Sequence, residues 1–250
     1  MGAVIALPLA GYRYLSGVFQ YSAGVAAEPG FQIERARFRH PVPLDEGFRA
    51  IPGHLRAIGR PLAALCACEL RSPAPFSEEG FAAFNRLYVG TLARWEIVRN
   101  EANPVARSNV CPAVDPPASP SFHAFAYTLP AHVETRPNFQ IAGSGEAPEG
   151  KGSYQAHIIR RGDTSPGGLR EKARYVLGEM ERRMRALGVG WAEATATQLY
   201  TVHDVHPILA EEIVRRGAAS GGLTWHFARP PVVGIDFEMD VRGVAREIVL

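Results

Sequence analysis

The sequence has little cysteine, almost no lysine and no long apolar run, and each shortage excludes a class of protein. Three cysteines in 250 residues, Cys66, Cys68 and Cys111, are an odd number and too few for a disulfide framework. Cys66 and Cys68 sit in an apolar run from Leu62 to Leu70, where strand alternation puts both on one face, and no further His or Cys stands at zinc-site spacing. They are expected to be buried thiols of a reducing cytoplasm, with no metal and no cofactor. All but two of the 27 basic residues are arginine, and 25 acidic residues bring the net charge to +2. No basic run marks a nucleic-acid footprint, so a polyanion is an unsuitable partner. The arginine excess is compatible with genome composition as well as with fork-like binding of carboxylates. No apolar stretch approaches the roughly 20 residues that span a bilayer. The apolar start MGAVIALPLAGYRY lacks a basic n-region and a full h-region, and reads as a first strand rather than a signal peptide. What is present, 46% hydrophobic and 21% charged residues, describes a soluble globular chain that can bury a core without staples.

The pattern along the chain suggests a repeat. In the second half, residues 138–146 (NFQIAGSGE) read as a strand and 151–159 (KGSYQAHII) as its hairpin partner. After DTSPGG comes the clearest helix, with Leu169, Ala173, Val176, Met180, Met184 and Leu187 at steps of three or four and Gly188 as its stop. A strand over 192–202, a helix from Pro207 through Arg216, and strands at 223–228 and 232–240 complete a β-β-α-β-α-β-β order. The first half repeats this more loosely, with strands at 12–20 and 31–38, a weak helix at 45–59 and a strand at 62–70. A helix at 77–94 capped by Ser77 follows, then strands at 105–114 and 121–129. Superimposing LAALCACEL on ATATQLYTV offsets the halves by 132 residues. Two tandem α+β units are expected, 1–130 and 131–250, with a join near 128–137.

The run Phe84-Asn85-Arg86-Leu87-Tyr88 on a helix, followed by Pro104-Val105-Ala106-Arg107-Ser108-Asn109-Val110 entering a strand, resembles the FN-x-x-Y … P-x-A-R-[ST]-x-V signature of the Rid/YjgF group, the reactive-intermediate (enamine/imine) deaminases. The second half is similar to the same group through IAGSGE, the long helix ending at Gly188 and the closing PPVVGIDFEMD. The resemblance implies a chorismate-mutase-like α+β fold, here as two YjgF-like units, with ligand sites between adjacent units. It also implies a homo-oligomer, expected as a trimer of two-unit chains. It implies hydrolysis of an enamine or imine to a 2-oxo acid and ammonia. Within the group, the 2-aminomuconate-type deaminases of aromatic-compound catabolism suit a specialised, duplicated member acting on a dicarboxylate. Chorismatase-like chemistry, and a non-catalytic protein that binds 2-oxo acids, are the alternatives.

Such chemistry needs a fixed cation for the substrate carboxylate, a group that positions and deprotonates water, and donors for developing charge. Arg107 matches the group's anion-binding arginine and suits two parallel hydrogen bonds to a carboxylate; the plain alternative is an ion pair at an interface. Glu238 matches the group's terminal carboxylate, and alternation places it on one face with Asp236 and Asp240. The repeats depart from the pattern in complementary ways: Thr224-Trp225-His226 stands where the second half would carry the arginine, and His123 where the first half would carry the carboxylate. A hybrid of Arg107 and Glu238 would therefore be complete, unless the two lie at separate sites. His226 is a candidate for proton transfer or a half-buried structural histidine. Asn85 is a candidate for substrate binding, a local cap or a solvated side chain. Ser16-Gly17 and Gly143-Ser144 offer backbone donors for an anion, or are plain hairpin turns. His203 and His206 flank Asp204 without a matched further carboxylate, so they are not expected to hold a metal.

Overall fold

The computed structural model describes residues 2–131 and 136–250, so residues 132–135 of the expected join lie outside the described residues. The first half supplies β1 (Val4–Leu7), β2 (Tyr12–Leu15), β3 (Gly24–Ala27), β4 (Phe31–Pro43), α1 (Leu44–Ala57), β5 (Leu65–Arg71), α2 (Glu78–Arg94), β6 (Ala106–Pro112) and β7 (Ser121–Pro130). The second supplies β8 (Phe139–Gly145), α3 (Pro166–Leu187), β9 (Ala196–Thr201), α4 (His206–Ile208) running into a π-helical turn, β10 (Leu223–Arg229), β11 (Glu238–Gly243) and β12 (Arg246–Val249). Both long helices begin where their sequences provide a cap. Ser77 accepts from the Gly80 N–H and Ser165 from the Gly168 N–H, satisfying donors that a helix start leaves open. Gly188 ends α3 at φ +75°, in the left-handed region that a side chain disfavours.

The strand order is β1-β2-β3-β8-β11-β9-β10-β6-β5-β7-β4-β12. Within it the repeat is explicit: β6-β5-β7-β4 and β10-β9-β11-β8 share one order, each with a parallel first pair followed by two antiparallel ones. The two sets meet where β10 pairs antiparallel with β6 through Ala228↔Pro112 and Arg229↔Cys111. The outer edges are then exchanged: β3 of the N-terminal meander pairs with β8, and β12 at the C-terminus runs parallel to β4. Helices cover the outer faces. The Leu169–Leu187 stripe of α3 is buried against β8, β9 and β11, while Phe81, Phe84 and Tyr88 of α2 pack with the β4–β7 sheet.

Three expectations need correction. Residues 151–159 are not a strand: β8 takes its hydrogen bonds from β3 and β11, and Gly150 and Gly152 hold positive φ values that break extension. The segment is instead a turn, tied to the start of α2 because Glu78 Oε1 accepts from the Gln155 N–H and the Ser153 hydroxyl. The closing strand starts at Glu238 rather than at 232, because residues 232–237 turn through Gly234 at φ +90°. The strand expected over 12–20 ends at Leu15.

Candidate active site

Arg107 enters from β6, whose residues alternate between the inter-sheet core (Ala106) and the side facing α2. Its side chain is 3% exposed and ringed by aromatics: the guanidinium carbon lies 4.9 Å from the Tyr88 ring centroid, 5.0 Å from Tyr21, 5.6 Å from Phe84 and 5.7 Å from Phe81. Such faces attract a cation but satisfy none of its N–H donors. Nε and Nη1 are buried without a hydrogen-bond partner among the described residues, and no carboxylate among them lies within ion-pair distance. A permanent charge held this way keeps donors that an anion could engage.

Glu238, the first residue of β11, lines the same small cavity of about 40 Å³ as Arg107, Asn109, Gly143, Glu149 and Tyr154. Its carboxyl is buried, and its pKa is pushed well above the ordinary carboxylate range by desolvation and then by Asp240, with Arg107 pulling the other way. Gly143 leaves room for this carboxylate: a Cβ on it would overlap the Glu238 carboxylate, which would have to shift, and stand 3.3 Å from Ser108 Cα.

The neighbouring carboxylates have other work. Asp240 shares the face of Glu238 but accepts from the Ser108 hydroxyl at 2.6 Å, Gln198 at 2.8 Å and the Tyr200 hydroxyl at 2.9 Å. Asp236 precedes the strand and pairs at 2.9 Å with Lys172, which also meets Glu146 at 2.9 Å. Glu146 in turn accepts from the backbone N–H groups of Asp236 and Phe237. This buried cluster fixes the entry to β11 and hence the position of Glu238. For Glu238 itself no hydrogen bond or ion pair to its carboxylate is found among the described residues.

The other sequence candidates are distributed differently. Gly143 lines the cavity, but Ser144 alternates to the opposite face, where its hydroxyl accepts from Arg183 at 3.3 Å. Asn85 is fully buried on α2, with both amide atoms unpartnered among the described residues, and borders an outer space of about 510 Å³ whose wall also includes Phe81 and Tyr154. Those two rings therefore separate the outer space from the Arg107 cavity. His226 does not belong to the cavity: alternation along β10 turns it to the inter-sheet face, stacked on Tyr200 with its Nε2 3.1 Å from Gln198 Oε1. Burial and Arg71 lower its pKa to about 4. Ser16-Gly17 forms part of the turn that leads from β2 towards β3, and His206 pairs with exposed Asp204.

Sequence reasoning did not single out Asn109, Tyr21, Glu149 or Tyr154. Asn109 was reachable, since it stands two residues after Arg107 on the same face of a strand. Tyr154 lies on the segment read as a strand and Glu149 just before it, while Tyr21, whose hydroxyl donates to Glu149 at 2.9 Å, comes from the turn before β3.

Comparison with known proteins places the chain in a family. The model of the family described as 2-aminomuconate deaminase CnbZ matches residues 4–248. The 2-amino-5-chloromuconate deaminase of Comamonas testosteroni is 56% identical over 241 residues, covering 96% of each chain. Among solved structures, a chorismatase is similar at a TM-score of 0.51 and 11% identity, covering 92% of this chain and 79% of its own. The YjgF gene product of E. coli matches 46% of this chain and 85% of its own, at a TM-score of 0.33 and 16% identity. Arg107 and Glu238 line one cavity between two repeated α+β units, and the chain belongs to the CnbZ family of 2-aminomuconate deaminases.

Proposed function

We propose that this deaminase hydrolyses 2-aminomuconate or a close dicarboxylate enamine, with Arg107 holding the carboxylate beside the amino-bearing carbon and Glu238 moving the protons. The observation that carries the reading is the pairing, in one cavity, of a buried guanidinium without an anionic partner among the described residues and a buried carboxyl whose pKa desolvation raises.

A protonated Glu238 gives its proton to the enamine carbon, and the nitrogen lone pair completes a C=N bond. The resulting carboxylate takes a proton from water as the water oxygen bonds to C2, forming a carbinolamine. Glu238 then protonates the nitrogen, the C–N bond breaks with loss of ammonia, and the remaining hydroxyl proton returns to Glu238. The sum is enamine plus water giving 2-oxo acid plus ammonia, with the acid regenerated. The raised pKa suits the first step, which needs the acid form near neutrality. Arg107, unable to deprotonate, holds its charge through the cycle.

Ammonia release from 2-aminomuconate tests the reading. The unaltered protein is expected to turn over, and Arg107→Ala to lose kcat/KM by ~10²-fold or more, as for removal of a buried charge partner. Absence of turnover on this and on 2-amino-5-chloromuconate overturns it. The same proposal includes a trimer of two-unit chains. Light scattering at three times 27.2 kDa supports that part, and a monomer overturns it. No helix among the described residues is long and apolar enough to cross a membrane.

A further inference from the structure

Asn109 faces the Arg107–Glu238 cavity with one end of its amide fixed and the other free. It lies two residues after Arg107 on β6, so both side chains leave the strand on the same face, and it lines the same space as Glu238. Its Oδ1 accepts from the Ser72 hydroxyl at 2.9 Å. Ser72 is itself fully buried, and its N–H donates to the Val110 carbonyl at 2.9 Å, so the hydroxyl is held by the strand that carries Asn109. With the oxygen engaged, the amide presents Nδ2, which is buried without a partner among the described residues. A side chain 3% exposed, with a donor oriented and unused, is placed to hold a polar molecule in the cavity in one orientation.

We infer that Asn109 is a catalytic residue of the deamination, donating from Nδ2 to the oxygen that enters at C2. The inference rests on the proposed function, since it takes Glu238 as the group that deprotonates water. A water molecule on this path needs an acceptor for the proton it loses and a donor for the oxygen it keeps. Glu238 provides the first and Asn109 the second, in a space of about 40 Å³. That exceeds the ~10–15 Å³ that one water molecule needs, and a site with two or more polar partners suits it. As the C–O bond forms, the oxygen passes from water to carbinolamine hydroxyl to 2-oxo group. At each stage it keeps a lone pair for the amide, while every proton moves through Glu238. Ser72 does not touch the substrate; it is a positioning residue that keeps Nδ2 rather than Oδ1 towards the cavity.

The experiment compares the unaltered full chain with Asn109→Ala, Asn109→Asp, Ser72→Ala and Ser72→Thr. It measures kcat and KM for ammonia release from 2-aminomuconate and binding of the 2-oxo acid product. Asn109→Ala is expected to lower kcat by ~10²-fold, the cost of misplacing the attacking water, with KM and product binding within about threefold. Asn109→Asp, nearly the same shape but an acceptor, is expected to lose kcat to the same order. Ser72→Ala should lower kcat by about tenfold and Ser72→Thr should restore it, a rescue that general loosening of the fold would not give. Asn109→Ala or Asn109→Asp within twofold of the unaltered kcat, on an active unaltered protein, overturns the role of Asn109 alone. So does a loss in Asn109→Ala confined to KM, or accompanied by loss of product binding. An unaltered protein that releases no ammonia from 2-aminomuconate overturns both this role and the function on which it rests.

Discussion

The two strands that join the repeats, β6 and β10, occupy the same place in their units and have diverged in opposite directions. β6 is buried along nearly its whole length beneath the 17-residue helix α2, and its outer face carries Arg107 and Asn109. β10 is covered by a helix only three residues long with a π-helical turn, and its outer face leaves Trp225 and Phe227 exposed. A similar contrast separates Arg107 from Arg35 and Arg242. Arg35 donates to both oxygens of Glu69 at 2.6 and 2.7 Å, and Arg242 meets Glu247 at 2.7 Å, whereas Arg107 is surrounded by rings. An arginine committed to a protein carboxylate is structure; one that aromatics hold in place without neutralising is available for a ligand. At the corresponding positions of the second junction two histidines stand between the sheets. His123 is lowered to about 3 by burial and by Arg71, and His226 to about 4 for the same reasons.

The sharpest way to break this contrast is to exchange like for like at the two junctions. Glu238→Gln is expected to lower kcat by ~10²- to 10⁴-fold while 2-oxo acid binding, measured by calorimetry, persists. His123→Gln should leave kcat within about twofold, and equal losses in the two variants would mean that both junctions are catalytic. The pH profile carries a sign. Because the folded Glu238 carboxyl titrates above its unfolded value, the acid needed for the first proton transfer is lost as pH rises through the raised pKa. Activity should decline on that alkaline limb, and the limb should be absent from the residual activity of Glu238→Gln. By linkage, the protonated carboxyl is also most compatible with folding at low pH, so Glu238→Gln should be relatively more stable than the unaltered chain above that pKa.

Next in size is Lys172→Met, which leaves Glu146 buried without its partner and should cost about 3–5 kcal/mol in denaturant melts. Its activity should fall as well, since the cluster sets the start of β11. Gly143→Ala pushes against the Glu238 carboxylate and should cost about 1–3 kcal/mol while reducing turnover more than stability. The smallest effect belongs to the second junction. A histidine whose folded pKa lies below its unfolded value binds its proton first in the unfolded chain. Stability from His226 is therefore complete above about pH 6.5 and declines as pH falls towards about 4. His226→Gln should flatten stability over that window, as read by chemical denaturation at a series of pH values, and leave turnover within about twofold.

Much of this was legible in the residues because the informative signals are local. The caps at Ser77 and Gly188 and the Met and Leu stripe of α3 report a helix without reference to the rest of the chain. The split of Arg107 and Glu238 between the halves was readable because each repeat lacks what the other has. The misreadings have a common cause in partners distant along the chain. The KGSYQAHII segment has strand-like composition, but β8 was already saturated by β3 and β11, and a strand cannot form without a free edge. The placement of His226 depended on which face of β10 meets the other sheet, and one residue of register decides that. The edge exchange by β3 and β12 left no mark in either strand's own sequence.

That exchange sets the order in which the molecule can be completed. The first three strands leave the ribosome more than a hundred residues before β8, their neighbour, and the last strand must find β4, synthesised some two hundred residues earlier. Pairings so distant along the polymer close slowly and leave sheet edges open in the meantime. β3 and β12 act as mutual clasps: loosening either one during biogenesis exposes the border of the opposite lobe.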